Sequence, residues 1–128
     1  MVVLDSWAVL AFLKDEPAAA RIESEWLSQP PAICSINLGE TLYMRIRERG
    51  EKAAAIDIAT IRRNSMIIDP DWELVSAAAQ IKAAGGLSYA DAFCAATAGR
   101  LGAPLWTGDP EIIDRAEQLP CRVVDLRS

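Results

Sequence analysis

Leu105-Trp106-Thr107-Gly108-Asp109-Pro110 carries three structural signals in succession. The short apolar run reads as a buried strand, glycine permits a tight turn, and Asp-Pro suits the N-cap and first position of a helix. The same order recurs at the start of the chain, where Val2-Val3-Leu4 leads into Asp5, Ser6 and a helical stretch. Runs that are continuously apolar, with no alternation, indicate strands covered on both faces, and that is the habit of a parallel sheet.

Working outward, Ala32–Cys34, Met66–Ile68 and Val123–Val124 join Val2–Leu4 and Leu105–Trp106 to give about five short strands. Between them, helical spacing predicts Ser6 to Lys14, Pro17 to Leu27, Leu38 to Arg49, Glu51 to Arg63, Trp72 to Ala84, Tyr89 to Leu101 and a short helix after Asp109. Gly85-Gly86 ends one helix and lets the chain turn before Ser88 starts the next, and Gly99 and Gly102 mark the end of that one. The alternation predicts a single α/β domain over residues 1–128: a central parallel sheet with helices on both faces and right-handed crossovers.

Composition narrows the chemistry. At 52% hydrophobic and 24% charged residues, the chain has the make-up of a compact globule. It contains no histidine, which removes imidazole acid–base pairs, Ser-His-Asp and Cys-His nucleophiles and His-ligated zinc. Carboxylates must therefore supply any acid–base work. Cys34, Cys94 and Cys121 are widely spaced in apolar surroundings, so they read as core thiols of a reducing cytosol. The start of the chain does not read as a signal peptide, since Asp5 interrupts its apolar run, and no run is long enough to span a membrane. A cytoplasmic location with no membrane partner is the expectation.

In a parallel α/β sheet, strand ends and first helical turns converge on one crevice. Four acids have that address: Asp5 after the first strand, Glu40 after the second, Asp91 in the first turn of the Ser88 helix, and Asp109 after Thr107-Gly108. Each also has a local explanation. Asn37-Leu38-Gly39-Glu40 and Ser88-Tyr89-Ala90-Asp91 resemble capping boxes, while Asp5 and Asp109 suit N-caps. Capping alone, however, does not require acids, and carboxylates about 4 Å apart repel by roughly 4 kcal/mol at an effective dielectric near 20. If the four meet, an all-oxygen, histidine-free cluster suits Mg2+ or Mn2+.

Four segments together resemble the PIN-domain ribonucleases, and specifically the VapC-type toxins of bacterial toxin–antitoxin pairs. They are Val3-Leu4-Asp5-Ser6, Ser35-Ile36-Asn37-Leu38-Gly39-Glu40, Gly86-Leu87-Ser88-Tyr89-Ala90-Asp91-Ala92, and Ala103-Pro104-Leu105-Trp106-Thr107-Gly108-Asp109-Pro110. The resemblance implies a PIN-like fold, Mg2+-dependent (or Mn2+-dependent) hydrolysis of RNA phosphodiesters, and control by a cognate antitoxin. It implies Asp5, Glu40, Asp91 and Asp109 as the catalytic acids, with Asp5 and Asp91 touching metal and Asp109 and Glu40 assisting directly or through water. Ser6 and Thr107 would orient carboxylates or water by hydrogen bonds.

RNA must approach a chain of net charge −5. The stretch from Arg45 to Arg63 is locally basic, so Arg45, Arg47, Arg49, Arg62 and Arg63 are the candidate phosphate contacts, and a homodimer would present them twice. The bland alternative is a solvated face whose arginines favour helix carboxyl ends. Trp7, Trp26 and Trp72 are candidates for base stacking or interfaces, whereas Trp106, inside a strand, reads as core.

Two rivals stand beside the toxin nuclease. An inactive PIN-like module would bind RNA or protein without cutting it, its acids serving as caps. A haloacid-dehalogenase-like phosphatase would use Asp5 as nucleophile and Asp109 with Asp114 at the metal, but it needs a second Asp where this chain has Trp7.

Overall fold

The computed structural model describes residues 1–127. Five parallel strands, β1 (Val3–Leu4), β2 (Ala32–Cys34), β3 (Met66–Ile68), β4 (Leu105–Thr107) and β5 (Val123–Asp125), form one sheet in the order β3-β2-β1-β4-β5. The register pairs Val3 with both Ala32 and Leu105, which puts β1 at the centre. The helices are α1 (Ser6–Leu13), α2 (Ala19–Ser28), α3 (Ser35–Arg49), α4 (Glu51–Arg63), α5 (Trp72–Ala83), α6 (Tyr89–Leu101) and α7 (Pro110–Asp114), and a 3-10 turn at Ala116–Gln118 follows.

Alternate strand residues face opposite sides, and the packing follows that alternation. Leu4, Ile33 and Trp106 pack with Val9 of α1, Ile22 of α2 and Ile61 of α4. Val3, Ala32 and Leu105 pack on the other side with Cys94, Ala95 and Ala98 of α6. Helices therefore cover both faces, as the uninterrupted apolar runs predict. Leu105 has no exposed surface, and its truncation to alanine should cost about 3 kcal/mol.

Two local features position the acids. The first is α6, where every residue from Asp91 to Ala98 is buried between the sheet and α5, so Asp91 is carried inward with them. Small side chains at Ala92, Ala95, Ala96 and Ala98 allow that close approach, and Gly102, left-handed at φ 60, ends the helix. The second is the β2–α3 junction, where the helix starts at Ser35 directly from Cys34, three residues before the predicted Leu38. Asn37 and Glu40 therefore lie inside the helix. The capping-box reading of Asn37 through Glu40 is incorrect, because tertiary packing of the strand and helix removes the loop that a cap would need.

The strand order also fixes where a crevice opens. The neighbours of β1 are β2 and β4, so the chain leaves β1 to one side and returns on the other. Sheets of this kind bind ligands outside the carboxyl ends of strands at that reversal. Asp5 directly follows β1 as the N-cap of α1, and Asp109 follows β4.

Candidate metal centre

Asp5 caps α1: Oδ1 accepts the Ala8 backbone N–H at 2.9 Å, and Oδ2 accepts the hydroxyl of Thr107. The residue is 1% exposed. Burial pushes its carboxyl up to about 7, with the charges of Asp91 and Asp109 adding and the bonds from Thr107 and Ala8 opposing. Capping therefore occurs here, yet each carboxylate oxygen keeps a second lone pair.

Asp91 is buried in the first turn of α6, where its backbone N–H donates to Ser88 Oγ at 3.1 Å. Its carboxyl also rises to about 7, first from burial and then from the neighbouring Asp109 charge, with Glu40 contributing. Asp109 caps α7, with Oδ1 accepting the Glu111 N–H at 2.9 Å. Asp91, Asp109 and Glu111 each present an oxygen within 4.8 Å of the others, a span one cation can bridge. Asp5 borders this trio electrostatically, and Glu40 borders Asp91.

Glu111 was not anticipated from the sequence. Its signal was present, since an acid one position after Asp109-Pro110 falls in the first turn of α7 beside the cap. Asn37 was also missed. It is fully buried, and its amide donates to the Ala90 carbonyl at 2.9 Å, tying α3 to α6 next to Asp91. Its Oδ1 and the Oε1 of Glu40 are buried without a hydrogen-bond partner. Such oxygens are costly unless something donates to or coordinates them. Among the described residues, no lysine or arginine pairs with Asp5, Glu40, Asp91, Asp109 or Glu111. The donors are all hard oxygens, so the residues present fit Mg2+ or Mn2+.

Supporting contacts are unevenly distributed. Thr107 joins Asp5 to the Asp109 loop by accepting the Asp109 N–H at 2.9 Å. Ser6 opens α1 half-buried, and among the described residues its hydroxyl makes no hydrogen bond to a carboxylate. Gly108 runs against the Trp7 indole, where an added Cβ would fall 2.2 Å from ring carbon, so only glycine lets this loop close. Asp114 is exposed at the end of α7 and senses Arg127 rather than the cluster, which leaves the phosphatase reading without its metal ligand.

The basic stretch divides into distinct roles. Arg45 is corrected as an RNA contact: it is 5% exposed and bound to Glu48 at 2.9 Å and Asp57 at 3.1 Å, because α4 packs over it. Arg49 also reaches Asp57, at 3.3 Å. Arg47, Arg62 and Arg63 are exposed, with Arg62 and Arg63 in the last turn of α4. Trp106 lies in the core, with Arg21 stacked 4.7 Å from its ring. Trp26 donates to Ser65 Oγ at 3.0 Å, and Trp72 is 78% exposed. Cys34 and Cys94 are buried free thiols, while Cys121 is half-buried.

The family model for the PIN domain matches residues 2–118 of the chain. Among solved structures, the chain is similar to a toxin–antitoxin complex from Klebsiella pneumoniae, at 17% identity and TM-score 0.77, covering 100% of this chain and 99% of that one. It is similar to VapBC2 from Rickettsia felis bound to promoter DNA, at 17% identity and TM-score 0.75, with 98% of each chain covered. It is also similar to Mycobacterium tuberculosis VapC20, a toxin that cleaves the sarcin–ricin loop, at 21% identity and TM-score 0.69, covering 89% and 94%. At these identities the likeness is one of fold. No curated protein matches the chain in sequence.

Proposed function

This chain belongs to the PIN domain family, and from that premise we propose that it is a metal-dependent endoribonuclease serving as the toxin of a toxin–antitoxin pair. The observation that carries the proposal is that Asp91, Asp109 and Glu111 share a span of 4.8 Å, with the charges of Asp5 and Glu40 acting on the same cluster and no ion pair to a lysine or arginine at any of the five among the described residues. An uncompensated cluster of this kind opposes folding unless a cation completes it.

Asp91, Asp109 and Glu111 would hold Mg2+ or Mn2+, with the charges of Asp5, after β1, and Glu40, in α3, acting on the same cluster. Such an ion activates water and neutralises charge developing on a phosphodiester in the transition state. The chain itself supplies position and proton handling. Thr107 fixes Asp5, and Asn37 fixes α3 against α6. In this reading Glu40, whose buried Oε1 has no hydrogen-bond partner, would orient the attacking water and accept its proton.

The fold likeness to VapBC toxin–antitoxin assemblies supports a cognate antitoxin as partner; RNA as substrate and a homodimer as working form belong to the proposal itself. Among the described residues, no helix is long and apolar enough to cross a membrane. The test is cleavage of total RNA by the purified protein in Mg2+ or Mn2+, in EDTA, and with Asp5→Asn, beside calorimetric titration of the metal. Cleavage that needs the ion and Asp5 supports the proposal. Ion binding absent from both proteins, with RNA intact, overturns it in favour of the non-catalytic module.

A further inference from the structure

Helix α3 leads away from the carboxylate cluster, and one of its faces is organised. Ile36, Glu40, Tyr43 and Arg47 follow spacings of four, three and four, so at 3.6 residues per turn they fall within an arc of about 60°. Ile36, Tyr43 and Arg47 are exposed, with Tyr43 at 47%. The Arg47 guanidinium lies over the Tyr43 ring, 5.2 Å from its centroid. Arg45 and Arg49, on either side, are neutralised by Asp57, with Glu48 also engaging Arg45. Among the described residues, Arg47 alone of the three α3 arginines has no acidic partner.

We propose that Tyr43 and Arg47 form a subsite for single-stranded RNA, which receives the strand as it leaves the carboxylate cluster along α3. The inference rests on the nuclease reading above and adds the substrate's path. At 1.5 Å rise per residue, Arg47 stands about 10 Å along the helix from Glu40, the span of a few stacked nucleotides. An aromatic ring and a guanidinium plane both accept an unpaired base, and the guanidinium also meets a phosphate. Contact with the Tyr43 ring holds the arginine in place before RNA arrives, which reduces the ordering cost of binding. Positive charge here offsets the repulsion that the acidic pocket exerts on an incoming polyanion. Continuity with that pocket favours RNA over an acidic protein segment as the occupant.

The test uses full-length protein in an Asp91→Asn background with Mg2+, and a fluorescein-labelled single-stranded RNA followed by anisotropy across a salt series. Tyr43→Ala is expected to weaken binding roughly tenfold with the salt slope unchanged, and Tyr43→Phe to restore it. Arg47→Ala is expected to weaken binding and to reduce the slope of log K against log salt by about 0.7, the loss of one phosphate contact on a single strand. Arg49→Ala, exposed but already paired, is the control and should change little. The subsite is overturned if the background protein does not bind RNA, if Tyr43→Ala and Arg47→Ala bind as it does, or if they weaken binding no more than Arg49→Ala. It is also overturned if either substitution changes the sedimenting species, because the face would then join copies of the chain. Cleavage by the unsubstituted protein is measured in parallel. RNA left uncut in Mg2+ counts against the nuclease, whereas cleavage with unaltered binding in both variants counts against the subsite alone.

Discussion

Thr107 and Asp5, 102 positions apart in sequence, share a hydrogen bond in which the threonine hydroxyl donates to Asp5 Oδ2 while accepting the Asp109 N–H. One hydroxyl thus locks the acid that follows β1 to the loop that carries the acid after β4.

Replacing that hydroxyl by a methyl group should loosen the coupling without changing volume. Thr107→Val leaves the buried Asp5 oxygen and the Asp109 N–H short of a partner, at a cost of about 1–3 kcal/mol in urea unfolding. It also removes an interaction that lowers the Asp5 pKa, so the carboxyl should titrate above its present value of about 7. Mg2+ affinity measured by calorimetry should fall on the order of tenfold.

Metal-free protein should lose stability as pH rises. Asp5 and Asp91 titrate near 3.8 when unfolded and near 7 when folded, so between those values the folded state binds more protons. Stability is then fully present below about pH 4 as far as these groups are concerned, declines through the interval, and levels off above 7. The slope reaches at most about 1.4 kcal/mol per pH unit for each group. Denaturation curves in EDTA at pH 5 and pH 8 should show it, and saturating Mg2+ should flatten it by holding both carboxylates ionised. A metal-free protein more stable at pH 8 than at pH 5 would contradict the buried cluster.

Asp91→Asn removes one charge and keeps the backbone N–H that Ser88 accepts. Mg2+-dependent RNA cleavage should disappear on a gel assay, while the EDTA-treated protein melts at the same temperature or higher, because a like-charge contact has been relieved. Glu111→Gln, at the exposed rim, should lower Mg2+ affinity by a smaller factor and leave the melt unchanged. A residue whose only task was capping would show the reverse for Asp91: lower stability with cleavage intact.

Arg45→Met should behave as a structural lesion. It strips Asp57 of its buried partner and should cost about 2 kcal/mol, between the values for exposed and buried ion pairs. Its RNA affinity, at temperatures where it remains folded, should match the unsubstituted protein. An RNA-binding loss as large as that of Arg47→Ala would return Arg45 to the substrate surface.

The sequence by itself determined the layered architecture and the helix starts at which Asp5, Asp91 and Asp109 lie, whereas it misplaced Glu40, which sits inside α3. Unbroken runs such as Ala32–Cys34 are only stable when covered on both sides, and Asp109-Pro110 or Ser88 starts a helix through bonds made within a few residues. These are local rules, so they survive without knowledge of the fold. What only the tertiary structure decided is anything set by distance across elements. The β3-β2-β1-β4-β5 order brings Asp5 beside Asp109, and the complete burial of the middle of α6 raises Asp91. The direct β2-to-α3 junction turns Asn37 from a cap into a tie, the α7 turn adds Glu111, and the packing of α4 hides Arg45 while Arg47 stays free. Burial and pairing depend on neighbours that lie far along the chain, and one-dimensional periodicity contains no term for them.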